Sequence, residues 1–177
     1  MRRQTGMCVL FVLAALVLAG CGEPSISAPE ALEVVYMPLT GAVDVSTDVI
    51  PQIIFSADVD MGSVAGSIYL LQTDLSTGEG GLVCGTEWAE VETTWGAAEQ
   101  DYILSMTDPA LDSDSCYMLI CTTGLKGRDL GPLENLGLCD KPGEHFQAVC
   151  SALTTAGAGS PPRVGAFAPF STEMAED

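Results

Sequence analysis

Residues 36–45 and 49–56, YMPLTGAVDV and VIPQIIFS, decide the fold. In the first, Pro38 ends an extended run, Gly41 permits a turn, and Val43 and Val45 return to the core on alternate residues. In the second, Ile53 and Phe55 share one strand face and are expected to be buried. Pro51 lacks a backbone N–H, so its strand is expected to be an edge, or only partly paired there. The same texture runs outward. Strands are expected at residues 32–37 (LEVVYM), 49–56, 67–72 (SIYLLQ), 81–84 continuing after a turn to 89–95, 101–106 (DYILSM), 115–122 (SCYMLICT) and 146–154 (FQAVCSALT). Clusters of Gly, Pro, Asp and Ser separate them. Seven strands in one domain predict an all-β sandwich, and any helix should be a single turn, for instance at residues 60–64.

The first twenty residues do not belong to that domain. Arg2 and Arg3 form a positive start, and residues 8–19 (CVLFVLAALVLA) form an uninterrupted apolar run of the length read by export machinery. Twelve apolar residues are too few to span a bilayer, which needs ~20. The next residues, Leu18, Ala19, Gly20 and Cys21, resemble the lipobox of bacterial lipoproteins. That resemblance implies a diacylglycerol thioether on Cys21, cleavage before it, and a lipid anchor whose chains together hold firmly to a membrane. Gly22, in place of an aspartate, implies that the protein is not retained at the inner membrane, so an outer-membrane address is expected. Residues 21–31 then read as the lipidated cysteine and a short proline-bearing tether.

Composition limits the function classes. The chain has 177 residues with 6 basic and 24 acidic side chains, a formal charge of −18. Removing residues 1–20 leaves 157 residues with 4 basic against 24 acidic side chains, or −20. Such a surface repels phosphate backbones, so no nucleic-acid partner is expected. There is one histidine, and neither a G-x-S-x-G elbow, an H-E-x-x-H helix nor a P-loop occurs; residues 62–66 (GSVAG) have the wrong order for the first. The protein is therefore expected not to be an enzyme and to carry no cofactor beyond its lipid.

Order and spacing supply a second resemblance. The segment 36–45, then Ile53 to Ser56, then residues 58–64 (DVDMGSV) resemble the SbsA-type bacterial Ig-like domain. In the second half, Leu111, Tyr117, residues 123–125 (TGL), Asp129 and Gly131 are similar to that family's later segment, and residues 146–155 to its closing strand. The resemblance covers about residues 33–155 and departs from the pattern at 73–81 (TDLSTGEGG) and 131–143, both expected to be lengthened loops. It implies an Ig-like Greek-key sandwich over residues 32–155. Tyr117 is then expected to act as a tyrosine corner, its hydroxyl tying the preceding crossover to the sheet. An antibody-type domain fits less well, because Tyr117 lies four residues before Cys121 rather than two. Trp88 and Trp95 are expected to be packing residues.

Beyond Cys8 and Cys21, five cysteines remain: Cys84, Cys116, Cys121, Cys139 and Cys150. Export places them in an oxidising compartment, so disulfides are expected with one cysteine left over. Cys116 and Cys121 point to opposite faces of one strand and should not bond each other. The expected pairs are Cys121 with Cys139, and Cys84 with either Cys116 or Cys150. A zinc set of Cys139, His145 and Cys150 is disfavoured without a C-x-x-C pair. For calcium the weak candidates are Asp58 with Asp60, Asp112 with Asp114, and Asp44 with Asp48; without a D-x-D-x-D-G loop they read as solvated turn residues.

Residues 156–177 read as a linker (AGAGSPP) followed by a disordered acidic tail, with an orphan strand echoing residues 34–40 as the alternative. The whole predicts a lipid-anchored envelope protein whose Ig-like domain is a non-catalytic structural, adhesive or interaction module, with loops 73–81 and 131–143 or a sheet edge meeting an envelope or extracellular protein. The rival reading is a calcium- or small-ligand-binding lipoprotein.

Overall fold

The structure, a computed structural model, describes residues 30–78, 80–108 and 111–175. The signal segment 1–20, Cys21 and nearly all of the tether lie outside the described residues.

Among the described residues nine strands form two antiparallel sheets. The first sheet has the order β1-β2-β7-β6, from Val34–Tyr36, Gln52–Phe55, Ile103–Met106 and Trp95–Ala97. The second has the order β4-β3-β8-β9, from Gly81–Cys84, Ile68–Gly78, Ser115–Thr122 and Val164–Ser171. β5 (Ala89–Val91) pairs with β3 over Leu70 to Gln72, on the edge that β4 takes up from Leu75. Nine strands replace the expected seven because the run 81–95 breaks into three short strands and one more lies beyond residue 155, while the strand expected at 146–154 is a helix.

Alternation along β3 and β8 explains how the layers stack. Ile68 and Leu70 on β3, with Tyr117, Leu119 and Cys121 on β8, meet Ile53, Phe55, Leu104 and Met106 of the first sheet in one buried cluster. The intervening residues Tyr69, Leu71, Met118 and Ile120 face the other way and are buried too. A strand apolar on both faces needs cover on both, and β8 is buried at all of its positions.

That second cover is a helix, which overturns the strand expected at 146–154. α1 (Glu144–Thr155) lays Val149 and Leu153 on Met118 and Ile120, with Phe146 partly buried beside them. Phe146, Val149, Cys150 and Leu153 recur at i, i+3, i+4 and i+7, one stripe of a helix and not one face of a strand.

The expected domain end at residue 155 and the disordered tail are likewise overturned. β9 pairs with β8 from Cys116↔Ser171 to Thr122↔Val164, and Val164, Ala168 and Phe170 are buried. Residues 41–45 run alongside it in parallel, with Gly41 N–H donating to the Pro169 carbonyl at 2.7 Å and Val45 N–H to that of Ser171 at 3.0 Å. Pro169 is tolerated because its main chain faces this outer side, so its missing N–H costs the β8 ladder nothing.

Smaller expectations divide. Ile53, Phe55, Tyr117 and Leu119 are buried. Of the valines expected to re-enter together, Val45 is buried but Val43 is 66% exposed. Asp44 between them has φ 54°, and that left-handed residue breaks the alternation. β2 is an interior strand whose ladder begins just after Pro51. The single turn near residue 60 is a 3-10 helix, Met61–Ser63, capped by Asp60.

Candidate functional site

The five cysteines divide as two disulfides and one thiol. Cys84 bonds Cys116, tying the end of β4 to the start of β8. Cys139 bonds Cys150, tying the 3-10 turn Leu138–Asp140 to α1. The expected pair of Cys121 with Cys139 is thus overturned. Cys121 sits on the inner face of β8 between the sheets, whereas Cys139 packs on the helix side of the same sheet. Cys121 is free and fully buried, and burial pushes its thiol far above the ordinary range. With Cys139 and Cys150 joined, neither is a thiolate to share a zinc ion with His145.

Of the calcium candidates, Asp58, Asp60, Asp112 and Asp114 are engaged by donors of the protein itself. Arg128 bridges Asp58, at 3.2 Å, and Asp101, and Lys126 lies 3.5 Å from Asp60. The hydrogen bond and charge of Asp101 hold the Arg128 guanidinium more firmly protonated. Asp112 accepts from Gln72 Nε2 at 3.0 Å, and Asp114 from the Ala175 N–H at 3.1 Å. Asp44 and Asp48 lie on the exposed 41–50 connection. Among the described residues no three His, Cys, Asp or Glu side chains converge as a metal site would require.

The two tryptophans sit differently. Trp95 is buried in the inter-sheet core and donates to Thr93 Oγ1 at 3.0 Å. Trp88 packs partly buried against the helix layer, edge-on to His145 with ring centroids 5.6 Å apart. Its Nε1 is buried without a partner among the described residues. An open groove of about 180 Å³ runs past Trp88 and His145 between Val43, Met118 and Phe170.

Of the two expected binding loops, 131–143 is largely structural: Leu133 and Leu138 are buried, and Leu133 N–H donates to the Leu125 carbonyl at 3.0 Å. The segment 73–81 is not a loop. β3 continues through Gly78 and turns back as β4, a projecting hairpin with the register Leu75↔Cys84 to Gly78↔Gly81. The signal for it was the alternation of buried Thr73 and Leu75 with exposed Asp74 and Ser76.

This hairpin presents an open sheet edge. All of β4 is exposed, including Leu82 at 44% and Val83 at 50%. Gly85 N–H donates to the Asp74 carbonyl, and Leu75 N–H points away to that of Asp114. Gly85 and Asp74 are therefore a hydrogen-bonded pair, and Leu75 and Cys84 a non-bonded one. The alternation turns the main-chain groups of Leu82 and Cys84 outward, where they have no backbone partner among the described residues. Asp74, Glu87, Glu90 and Glu92 are exposed nearby in sequence and sheet, and no Lys, Arg or His occurs between residues 4 and 125.

Comparison of the chain with protein-family models, with curated proteins and with solved structures returns no match.

Proposed function

We propose that the chain is an exported, lipid-anchored envelope protein whose folded part is an Ig-like module that holds a protein-interaction surface away from the membrane. The observation that carries this reading is the pairing of Cys84 with Cys116 and of Cys139 with Cys150. Four cysteines closed as disulfides belong in an oxidising compartment, to which the apolar N-terminal run and the lipobox-like Leu18 to Cys21 would deliver the chain.

The Ig-like assignment is supported by strand order. β1-β2-β7-β6 against β3-β8-β9 corresponds to the ABED and CFG division of immunoglobulin-like sandwiches, with β4 and β5 as additions beside the third strand. The Asp112 N–H donates to the Tyr117 hydroxyl at 2.7 Å, which supports the tyrosine-corner role. On this reading the crossover between β8 and β9 carries α1 as an insertion.

Radiolabelled palmitate fed to cells expressing the full chain tests the anchor. Label is expected on the protein and absent from a Cys21→Ala variant, which should also leave the membrane fraction. An unlabelled parent that fractionates like the variant defeats the proposal.

A further inference from the structure

We infer that the outer edge of β4 is a strand-addition site for an extended, basic segment of a partner protein. The inference rests on the interaction-module reading above and names its surface. Soluble proteins blunt their sheet edges with lysine, proline, bulges or a covering element. Among the described residues β4 (GLVC) has none of these on its outer side, and it exposes Leu82 and Val83 on opposite faces. The outward N–H and C=O groups of Leu82 and Cys84 match what an added strand needs, because main-chain hydrogen bonds supply its affinity.

Two features select the occupant. The Cys84–Cys116 disulfide ties the base of the hairpin to β8, so the edge is held in place before binding and less ordering is required of it. The charge is one-sided: Asp74, Glu87, Glu90 and Glu92 are exposed, lie in a stretch devoid of Lys, Arg and His from residue 4 to 125, and take part in none of the ion pairs among the described residues. A second copy would bring the same acids to the same edge. A strand alternating basic and apolar side chains would satisfy the backbone, cover one of the two exposed apolar residues and neutralise the acids.

The test uses the full-length chain in detergent and a short, end-capped synthetic peptide of alternating Lys and Val, followed by fluorescence anisotropy. Saturable binding is expected, weakening as salt rises. A second peptide of equal charge, N-methylated on every residue so that both edges lose their donors, should bind about tenfold more weakly or worse. Leu82→Pro removes only an outward N–H and leaves the β3 ladder intact, and should weaken the unmodified peptide to a similar degree. Equal binding of the two peptides, or binding unchanged by Leu82→Pro, would mean that charge alone attracts them and overturns the inference. So would sedimentation showing that β4 already pairs with a second copy. Palmitate labelling is indifferent to all of these outcomes, so a failure here leaves the anchor reading standing.

Discussion

Tyr117 is fully buried yet carries a hydroxyl, and its surroundings resolve that conflict. The ring stacks on Phe170 with centroids 5.2 Å apart, and the oxygen accepts the Asp112 N–H. Tyr117→Phe keeps the stack and leaves that amide without its acceptor. The expected cost is about 1–3 kcal/mol, read as a lower urea midpoint with an unchanged slope; an unchanged midpoint would show that the bond carries no net stability. Cys121 makes a pH-dependent contribution instead. Burial raises its folded pKa well above the ordinary thiol value of 9.0. The contribution is therefore complete below pH 9 and falls as pH rises past it, when the unfolded thiol ionises and the folded one does not. Tyr69 and Tyr117 are also raised, but from 10.0, so their losses begin about one pH unit later. Between about pH 9 and 10 stability should drop by up to about 1.4 kcal/mol per unit, and Cys121→Ala should flatten that slope in denaturant titrations at stepped pH.

Elements were legible where one period dominated. The β2 stretch QIIF and the inner face of β8 follow from alternation alone, because one set of residues faces the other sheet. α1 was misread because Phe, Val and Thr favour strands locally, while the stripe Phe146, Val149, Cys150 and Leu153 gains meaning only when Met118 and Ile120 need cover. The run SCYMLICT held the clue, since it is apolar on both faces. β9 was obscured by Gly165 and Pro169, which are weak strand formers; an edge position tolerates the proline, and close packing requires the glycine. A Cβ on Gly165 would lie 2.6 Å from Leu133 Cβ, so Gly165→Ala should destabilise by about 1–3 kcal/mol in thermal or denaturant melts. A variant as stable as the parent would mean that residues 131–136 are free to move off β9. The Cys139–Cys150 bond closes a short loop, with a sequence separation of 11. Replacing both cysteines with alanine should cost about 2–3 kcal/mol and release α1 first. Hydrogen exchange would then rise in residues 144–155 before the β8 core, whereas uniform exchange would make the helix inseparable from the sheets.

Charge acts on the whole molecule. Residues 21–177 carry 24 acidic side chains, and their few cations include Arg128 and Lys126, which already neighbour Asp58, Asp101 and Asp60. All three ion pairs are substantially exposed, so screening removes little by breaking them. Repulsion among the remaining carboxylates is spread over the surface and outweighs them. Sodium chloride shortens the screening length from about 30 Å at 0.01 M to about 3 Å at 1 M. The melting temperature should therefore rise with salt, and a fall would mean that the ion pairs govern. Calcium chloride at matched ionic strength separates screening from site binding. A solvated acidic surface responds to both salts along one gradual curve. A calcium site would instead raise the melting temperature from low calcium onward at unchanged ionic strength, with no matching response to sodium, as binding to the native state adds stability with the logarithm of calcium concentration above its dissociation constant. The engaged oxygens of Asp60, Asp112 and Asp114 favour the single curve, because a bound ion would first have to displace Lys126, Gln72 and the Ala175 N–H.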